Sequence, residues 1–236
     1  MPDEPSGLSR SVEDYLKAIY ALSESGTVAS TSAIAEALDV QPASVTGMVK
    51  RLAESGFLTH APYKGVQLTS AGVEQALRIL RRHRILESYL TERLRYSWEA
   101  VHQEAERLEH AASEELIERM AEALDNPSHD PHGAPIPTRA GEIESTDSFT
   151  LADLGAGVEA QVRAIRDDDL TGLRGAEAAG LLPGTRVRVR QRRLRDGFLL
   201  VEVGDRQTTP REVKFEVAHR VFVVALPMDP SPERGR

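Results

Sequence analysis

Imidazole and carboxylate side chains between His83 and His110 constrain this chain more than any other feature. His83 and Glu87 are four residues apart, and His102, Glu106, Glu109 and His110 follow at offsets of 0, 4, 7 and 8. At about 100° per residue, the last four share a helical stripe of about 100°. Two helices would therefore each present such a face. The donors are nitrogen and oxygen without sulfur, which suits a divalent metal of intermediate hardness. A lone His-x-x-x-Glu pair is more often solvated surface than site. Six such residues on two adjacent segments shift that balance. Glu106, Glu109 and His110 are the specific part, because acids this close repel unless a cation or protons neutralise them.

The rest of the composition narrows the class. At 236 residues, two domains with modest cores are possible. Apolar residues make up 40% and charged residues 28%, which is ordinary for a soluble globular protein. There is no run near 18 apolar residues, so no transmembrane helix is expected. The opening MPDEPSGLSR lacks the basic start and apolar centre of a signal peptide. Cysteine is absent, which excludes disulfides and thiolate metal sites and fits a cytoplasmic protein. The net charge of -8 argues against a generic nucleic-acid coat but leaves room for a local basic surface.

Helical spacing runs through 11–25, with Val12, Tyr15, Leu16, Ile19, Tyr20 and Leu22 as its apolar positions and Ser11 as the expected N-cap, Asp14 following three residues on. Gly26 is expected to end that helix. A short helix follows over 31–39, with Ile34, Ala35 and Leu38 inward. A third spans 42–55, with Val45, Met48, Val49 and Leu52 inward, Pro42 opening it and Gly56 at C′. Two apolar-alternating runs flanking P-Y-K-G then read as a hairpin. This order is that of a winged helix-turn-helix, against the alternative of an arbitrary three-helix domain with a hairpin. Long helices are expected over about 70–94 and 98–124, and 126–145 reads as a Pro-, Gly- and His-rich linker in which His129 and His132 are turn residues. Beyond Phe149 the texture is β. Strand candidates begin at Val158, Val187, Phe198 and Val221 and build a small SH3-type barrel, and the tail PMDPSPERGR reads as disordered. The expected fold is mainly α with a C-terminal all-β module. Its parts are a DNA-binding domain over 1–70, a helical domain with linker over 71–145 and an SH3-like domain over 146–236.

These segments resemble the diphtheria-toxin-repressor family of metal-dependent transcriptional regulators. The likeness runs from about Ser11 to Leu226 and is carried by E13-D-Y-L-K-A-I-Y, S44-V-T-G-M-V, R82-H-R-I-L-E, V101-H-Q-E-A-E-R-L-E-H and H132-G-A-P-I-P. The resemblance implies a homodimer that binds palindromic double-stranded operator DNA when loaded with Mn²⁺ or Fe²⁺, represses metal-uptake genes, and ends in a FeoA-like module. It implies one metal set of Asp14, Glu106, Glu109 and His110, and a second of His83, Glu87 and His102 completed by an acid of the barrel. Asp169, in the run Asp167-Asp168-Asp169, matches best in position, and a solvated turn is the alternative. The iron branch has Met and Cys where Asp14 and Glu106 stand, so the harder donors here favour Mn²⁺ over Fe²⁺ or another divalent ion. Small manganese sensors place Glu where Lys17 stands. A charged lysine cannot ligate, which points to two separated sites.

On the DNA side, Gln41, Pro42, Ala43, Ser44 and Thr46 open the recognition helix, and Lys50, Arg51 and the wing's Lys64 are candidates for phosphate contact. For Lys50 and Arg51 simple solvation is the alternative. Gly47 stands where relatives often carry a longer polar residue, so shape readout gains weight. Alternating arginines in R186-V-R-V-R-Q-R-R-L-R read as one solvated strand face. Two other classes compete: a metal-dependent hydrolase and a metal-independent winged-helix regulator. The hydrolase needs an open coordination position, a pocket and a general base. The chain has no nucleophile elbow, phosphate loop or zinc-protease motif, so no enzyme activity is expected.

Overall fold

Ser30, Thr69 and Ser113 set the frame of the helical half, because each hydroxyl caps the helix that follows it. They accept from the backbone N–H of Ala33 at 3.1 Å, Gly72 at 3.1 Å and Leu116 at 3.3 Å. The computed structural model describes residues 8–24, 28–61, 65–145, 149–166, 170–204 and 209–226. It divides into two compact units. The first takes the described parts of Met1–Tyr96, Gln103–Ser128 and Ile136–Glu144, and the second those of Ser97–His102, His129–Pro135 and Ser145–Arg236.

In the first unit, α1 (Arg10–Glu24), α2 (Thr31–Ala37) and α3 (Pro42–Glu54) precede a hairpin of β1 (Leu58–Ala61) and β2 (Gly65–Leu68). The apolar stripes meet in one core of Leu16, Ile19, Ile34, Val45, Leu52, Leu58 and Val66. Pro42 stands at the start of α3, and Gly56 adopts φ +80 just beyond Ser55, its C-cap. The expected Ser11 cap is corrected. The helix begins at Arg10, and the Ser9 carbonyl accepts from Val12 at 2.8 Å and Glu13 at 3.1 Å, which leaves Ser11 inside the first turn. Gly26, Lys64, Asp169 and the C-terminal tail lie outside the described residues.

The long α4 (Ser70–Glu92) starts against the root of the hairpin. A Cβ on Gly72 would sit 2.2 Å from the Phe57 carbonyl oxygen, so only glycine allows this approach. The helix expected over 98–124 is two helices, α5 (Val101–Leu108) and α6 (Glu114–Ala123). Ser113 caps α6 and so breaks the run. Glu109 and His110 therefore lie in the turn that ends α5 rather than on a continuous helical stripe.

The second unit holds a five-stranded antiparallel sheet of β3 (Glu159–Ile165), β4 (Arg186–Arg193), β5 (Phe198–Val203), β6 (Arg211–Lys214) and β7 (Val221–Ala225), ordered β6-β5-β4-β3-β7. Ala160, Val162, Val187, Val189, Leu199, Val201 and Val223 alternate inward, as the strand period requires. Sequence reading missed β6, α7 (Leu170–Ala179) and the single-turn α8 (Phe215–Ala218). His132 lies in a turn, as expected, but that turn is packed inside the unit. The residue is fully buried, its ring lies 4.9 Å from that of Trp98, and its backbone N–H donates to Asp130 Oδ1 at 2.8 Å.

Candidate metal centre

The amphipathic pattern of α1 puts Val12, Leu16 and Ile19 in the core and places Glu13 and Asp14 one turn before Lys17, where they meet Arg82, Glu106, Glu109 and His110. Asp14, Glu106, Glu109 and His110 each offer a ligand atom, and these atoms all lie within 4.8 Å of one another. His110 Nε2 is 2.9 Å from Asp14 Oδ1 and 3.4 Å from Glu109 Oε1. That nitrogen is buried and makes no hydrogen bond of good geometry, although Asp14 is close in distance. A buried imidazole nitrogen beside two carboxylates, with a third inside the same 4.8 Å cluster, fits a divalent cation of intermediate hardness. Burial raises the pKa of Asp14, against the pull of His110 and Lys17.

Two residues outside the ligand set expected from the sequence organise it. Glu13 is 2% exposed. Its Oε2 accepts from His110 Nδ1 at 2.6 Å, and its Oε1 accepts from Arg82 Nη1 at 3.2 Å. Arg82, itself buried, also donates through Nε to Glu114 at 2.7 Å. The signal was present: an acid at position 13 falls on the face shared by Val12 and Leu16. Lys17 is the second. Its Nζ donates to Glu106 Oε1 at 2.5 Å and to Glu109 Oε1 at 2.6 Å. Burial disfavours its charge, but Glu109 and Glu106 more than compensate and raise its pKa.

One member of the second implied set, His83, is joined to Glu109 of the first. His83 Nδ1 is hydrogen-bonded to Glu109 Oε2 at 2.5 Å and lies 3.7 Å from Glu106, and its Nε2 meets Glu87 Oε1 at 3.0 Å. Glu109 thus uses one oxygen on each side. Burial opposes charge on His83, yet Glu87 and the bonds to both carboxylates push its pKa up to about 9. Burial likewise opposes charge on Glu109, and His83 and Lys17 outweigh it to lower that pKa. His102 sits partly exposed in the first turn of α5, within the second unit.

On the candidate DNA face, Gln41, Pro42, Ala43, Ser44, Thr46, Lys50 and Arg51 are all exposed along the start and outer side of α3. Lys50 makes a loose 3.9 Å pair with Glu54. A Cβ on Gly47 would meet nothing within 4 Å, so this stretch of the face is open. In the second unit, Arg188 and Arg190 pair with Glu159 at 2.7 Å and Glu202 at 2.8 Å, as a solvated strand face does.

A winged reading head whose first helix supplies a carboxylate to a buried nitrogen–oxygen cluster defines the class of metal-responsive DNA-binding regulators. The comparisons agree. Residues 7–66 match the N-terminal DNA-binding domain of iron-dependent repressors, 69–138 their metal-binding and dimerisation domain, and 149–225 the FeoA domain. The iron-dependent repressor IdeR of Mycobacterium tuberculosis is 32% identical over 223 residues, covering 89% of this chain and 95% of its own. The regulator MntR of Oceanobacillus iheyensis is 41% identical over 114 residues, 48% of this chain and 77% of its own. A solved manganese-dependent transcriptional repressor in complex with manganese shares the fold at a TM-score of 0.86 and 35% identity, over 91% of this chain and 100% of its own. The chain belongs to the diphtheria-toxin-repressor family of metal-dependent transcriptional regulators. The hydrolase and metal-independent readings find no support among these relatives. Among the described residues, no helix is long and apolar enough to cross a membrane.

Proposed function

We propose that this chain is a cytoplasmic, Mn²⁺-responsive repressor that binds a palindromic operator as a homodimer and represses metal-uptake genes, with Fe²⁺ as the second candidate ion. The observation that carries this reading is the convergence of Asp14, Glu106, Glu109 and His110 from α1 and the end of α5. Divalent-metal dependence, DNA binding and dimerisation are supported by the matching domains and relatives. The choice of Mn²⁺ is supported by a donor set of three carboxylates and one imidazole with no sulfur.

Asp14, Glu106, Glu109 and His110 would hold a divalent ion, which would supply charge neutralisation among the crowded acids. The chain's own residues do the rest. Asp14 couples α1 to α5, Glu13 orients the His110 ring, and Arg82 fixes Glu13. His83 holds the outer oxygen of Glu109 and, with Glu87, stays a candidate for a further ligand set with His102 and Asp169. Fixing α1 fixes the position of α3, whose Gln41, Pro42, Ala43, Ser44 and Thr46 meet DNA while Lys50, Arg51 and Lys64 meet phosphates. The ligand thus favours the DNA-competent arrangement by binding it more tightly.

The test is operator binding by metal-free protein and by protein with Mn²⁺ or Fe²⁺, at fixed salt because phosphate contacts make affinity salt-dependent. A large gain with Mn²⁺ and a smaller one with Fe²⁺ is expected. Equal affinity with and without metal refutes the proposal.

A further inference from the structure

We propose that Lys17 is a built-in cation that holds the Glu106–Glu109 carboxylate pair in the metal-free protein and must leave when a divalent ion binds, so that this side chain sets how much metal the centre needs. The inference rests on the reading of Asp14, Glu106, Glu109 and His110 as ligands.

The geometry makes the competition direct. Lys17 stands on α1, and its Nζ reaches two carboxylates of the α5 end at 2.5 and 2.6 Å. The oxygen it takes on Glu109 is Oε1, the one that faces His110 Nε2 at 3.4 Å. The other oxygen, Oε2, is already held by His83. The ammonium therefore occupies the oxygen that points into the ligand cluster, and it bridges the same two elements that a metal ion there would bridge. Glu109 is 0% exposed, so its charge needs a partner in either state. An ammonium has no lone pair with which to coordinate, so it cannot join the ligand set while it remains charged. Lys17 and a divalent ion are alternative occupants of one carboxylate pair.

Two consequences follow. Metal-free α1 is tethered rather than repelled, because a cation sits between the acids. Metal uptake must also break a partly buried ion pair, which weakens apparent affinity by about tenfold or more. Lys17→Gln removes the competitor and takes one cation away from the two carboxylates in the metal-free state. Lys17→Arg keeps a cation that can pair with both.

Mn²⁺ titration calorimetry on the full chain, with thermal unfolding of the same samples, tests this. Lys17→Gln is expected to bind Mn²⁺ about tenfold tighter than the unaltered protein, to melt lower without metal, and to gain more in Tm on adding Mn²⁺. Lys17→Arg is expected to stay within about threefold of the unaltered protein. Acetylation of lysines in the unaltered protein, read by mass spectrometry, gives a measurement that needs no variant. Mn²⁺ should raise the modification rate of Lys17 severalfold while other lysines stay constant. If the unaltered protein takes up no Mn²⁺, the ligand-set reading fails and Lys17 with it. If it takes up Mn²⁺ but Lys17→Gln binds no tighter, or Lys17 labelling ignores the metal, the Lys17 proposal alone is overturned. Should Lys17→Gln not fold, the labelling result decides.

Discussion

His110 Nδ1 donates to the buried carboxylate of Glu13 at 2.6 Å, and this bond decides which nitrogen of the ring faces the ligand cluster. A carboxylate can only accept, so Nδ1 carries the hydrogen and Nε2 is left to point at Asp14 and Glu109. Glu13 is neighbour to Asp14 in sequence, yet the two acids do different work. Asp14 is part of the cluster, while Glu13 sits behind the imidazole and is tied to Arg82.

Glu13→Gln should therefore weaken Mn²⁺ binding about 10- to 100-fold, the usual effect of losing a partner that orients a ligating histidine. Calorimetry gives the affinity, and an unfolding curve separates it from loss of Arg82's partner. An unchanged affinity would show that Glu13 serves only Arg82.

The pH dependence of metal-free stability follows from His83 and Glu109. The pKa of His83 is raised from 6.5 to about 9, so its contribution is fully present below pH 6.5 and is lost as pH rises through about 9. The rise corresponds to at most roughly 3 kcal/mol. The pKa of Glu109 is lowered, so its contribution is present above its ordinary value and is lost as acid drives the pH down through the lowered one. Urea unfolding of chelator-treated protein from pH 6 to 10 should show the alkaline decline, and Glu87→Gln should shrink it. A flat profile would mean that His83 is neutral in the fold.

Much of this was legible in the sequence, for identifiable reasons. Helical spacing located α1, α3 and α4 because each buries one stripe, and hairpin alternation located β1 and β2. The break between α5 and α6 was missed because the apolar pattern continues across it and a single hydroxyl, that of Ser113, decides. The α7 helix was missed because L-T-G-L-R-G-A-E-A-A is short and interrupted by Gly172 and Gly175 inside a region of β texture. In the site, the spacing of Glu106, Glu109 and His110 could be read directly. The roles of Glu13 and Lys17 could not, because they arise from contacts between residues 89 to 97 positions apart in the chain.

Glu106→Cys should reorder metal preference. A thiolate favours softer ions, so activation of DNA binding by Fe²⁺ and Co²⁺ should gain relative to Mn²⁺. The substitution also removes one of the two carboxylates that Lys17 holds. The comparison is the rank order of the three ions within each protein, which a general change in affinity leaves alone. An unchanged order would show that Glu106 is not a ligand.

The sharpest separation of roles is between Asp14 and His83. Asp14 is the α1 carboxylate of the proposed ligand set, 2.9 Å from His110 Nε2, so its loss would cut the link between reading head and cluster. His83 lies behind Glu109, between that carboxylate and Glu87. Removing it takes one partner from each of two buried acids but leaves Glu109 Oε1 facing the cluster. Asp14→Ala should therefore abolish the Mn²⁺ response of operator binding while melting close to the unaltered protein. His83→Ala should lower Tm and shift the Mn²⁺ midpoint upward while keeping a response. Coupling energies in such switches are about 1–3 kcal/mol, so one bridging ligand is enough to erase the effect. Operator binding across a Mn²⁺ titration, at constant salt, gives both answers. Full activation of Asp14→Ala with none in His83→Ala would reverse the assignment and end the case for α1 as the metal-coupled element.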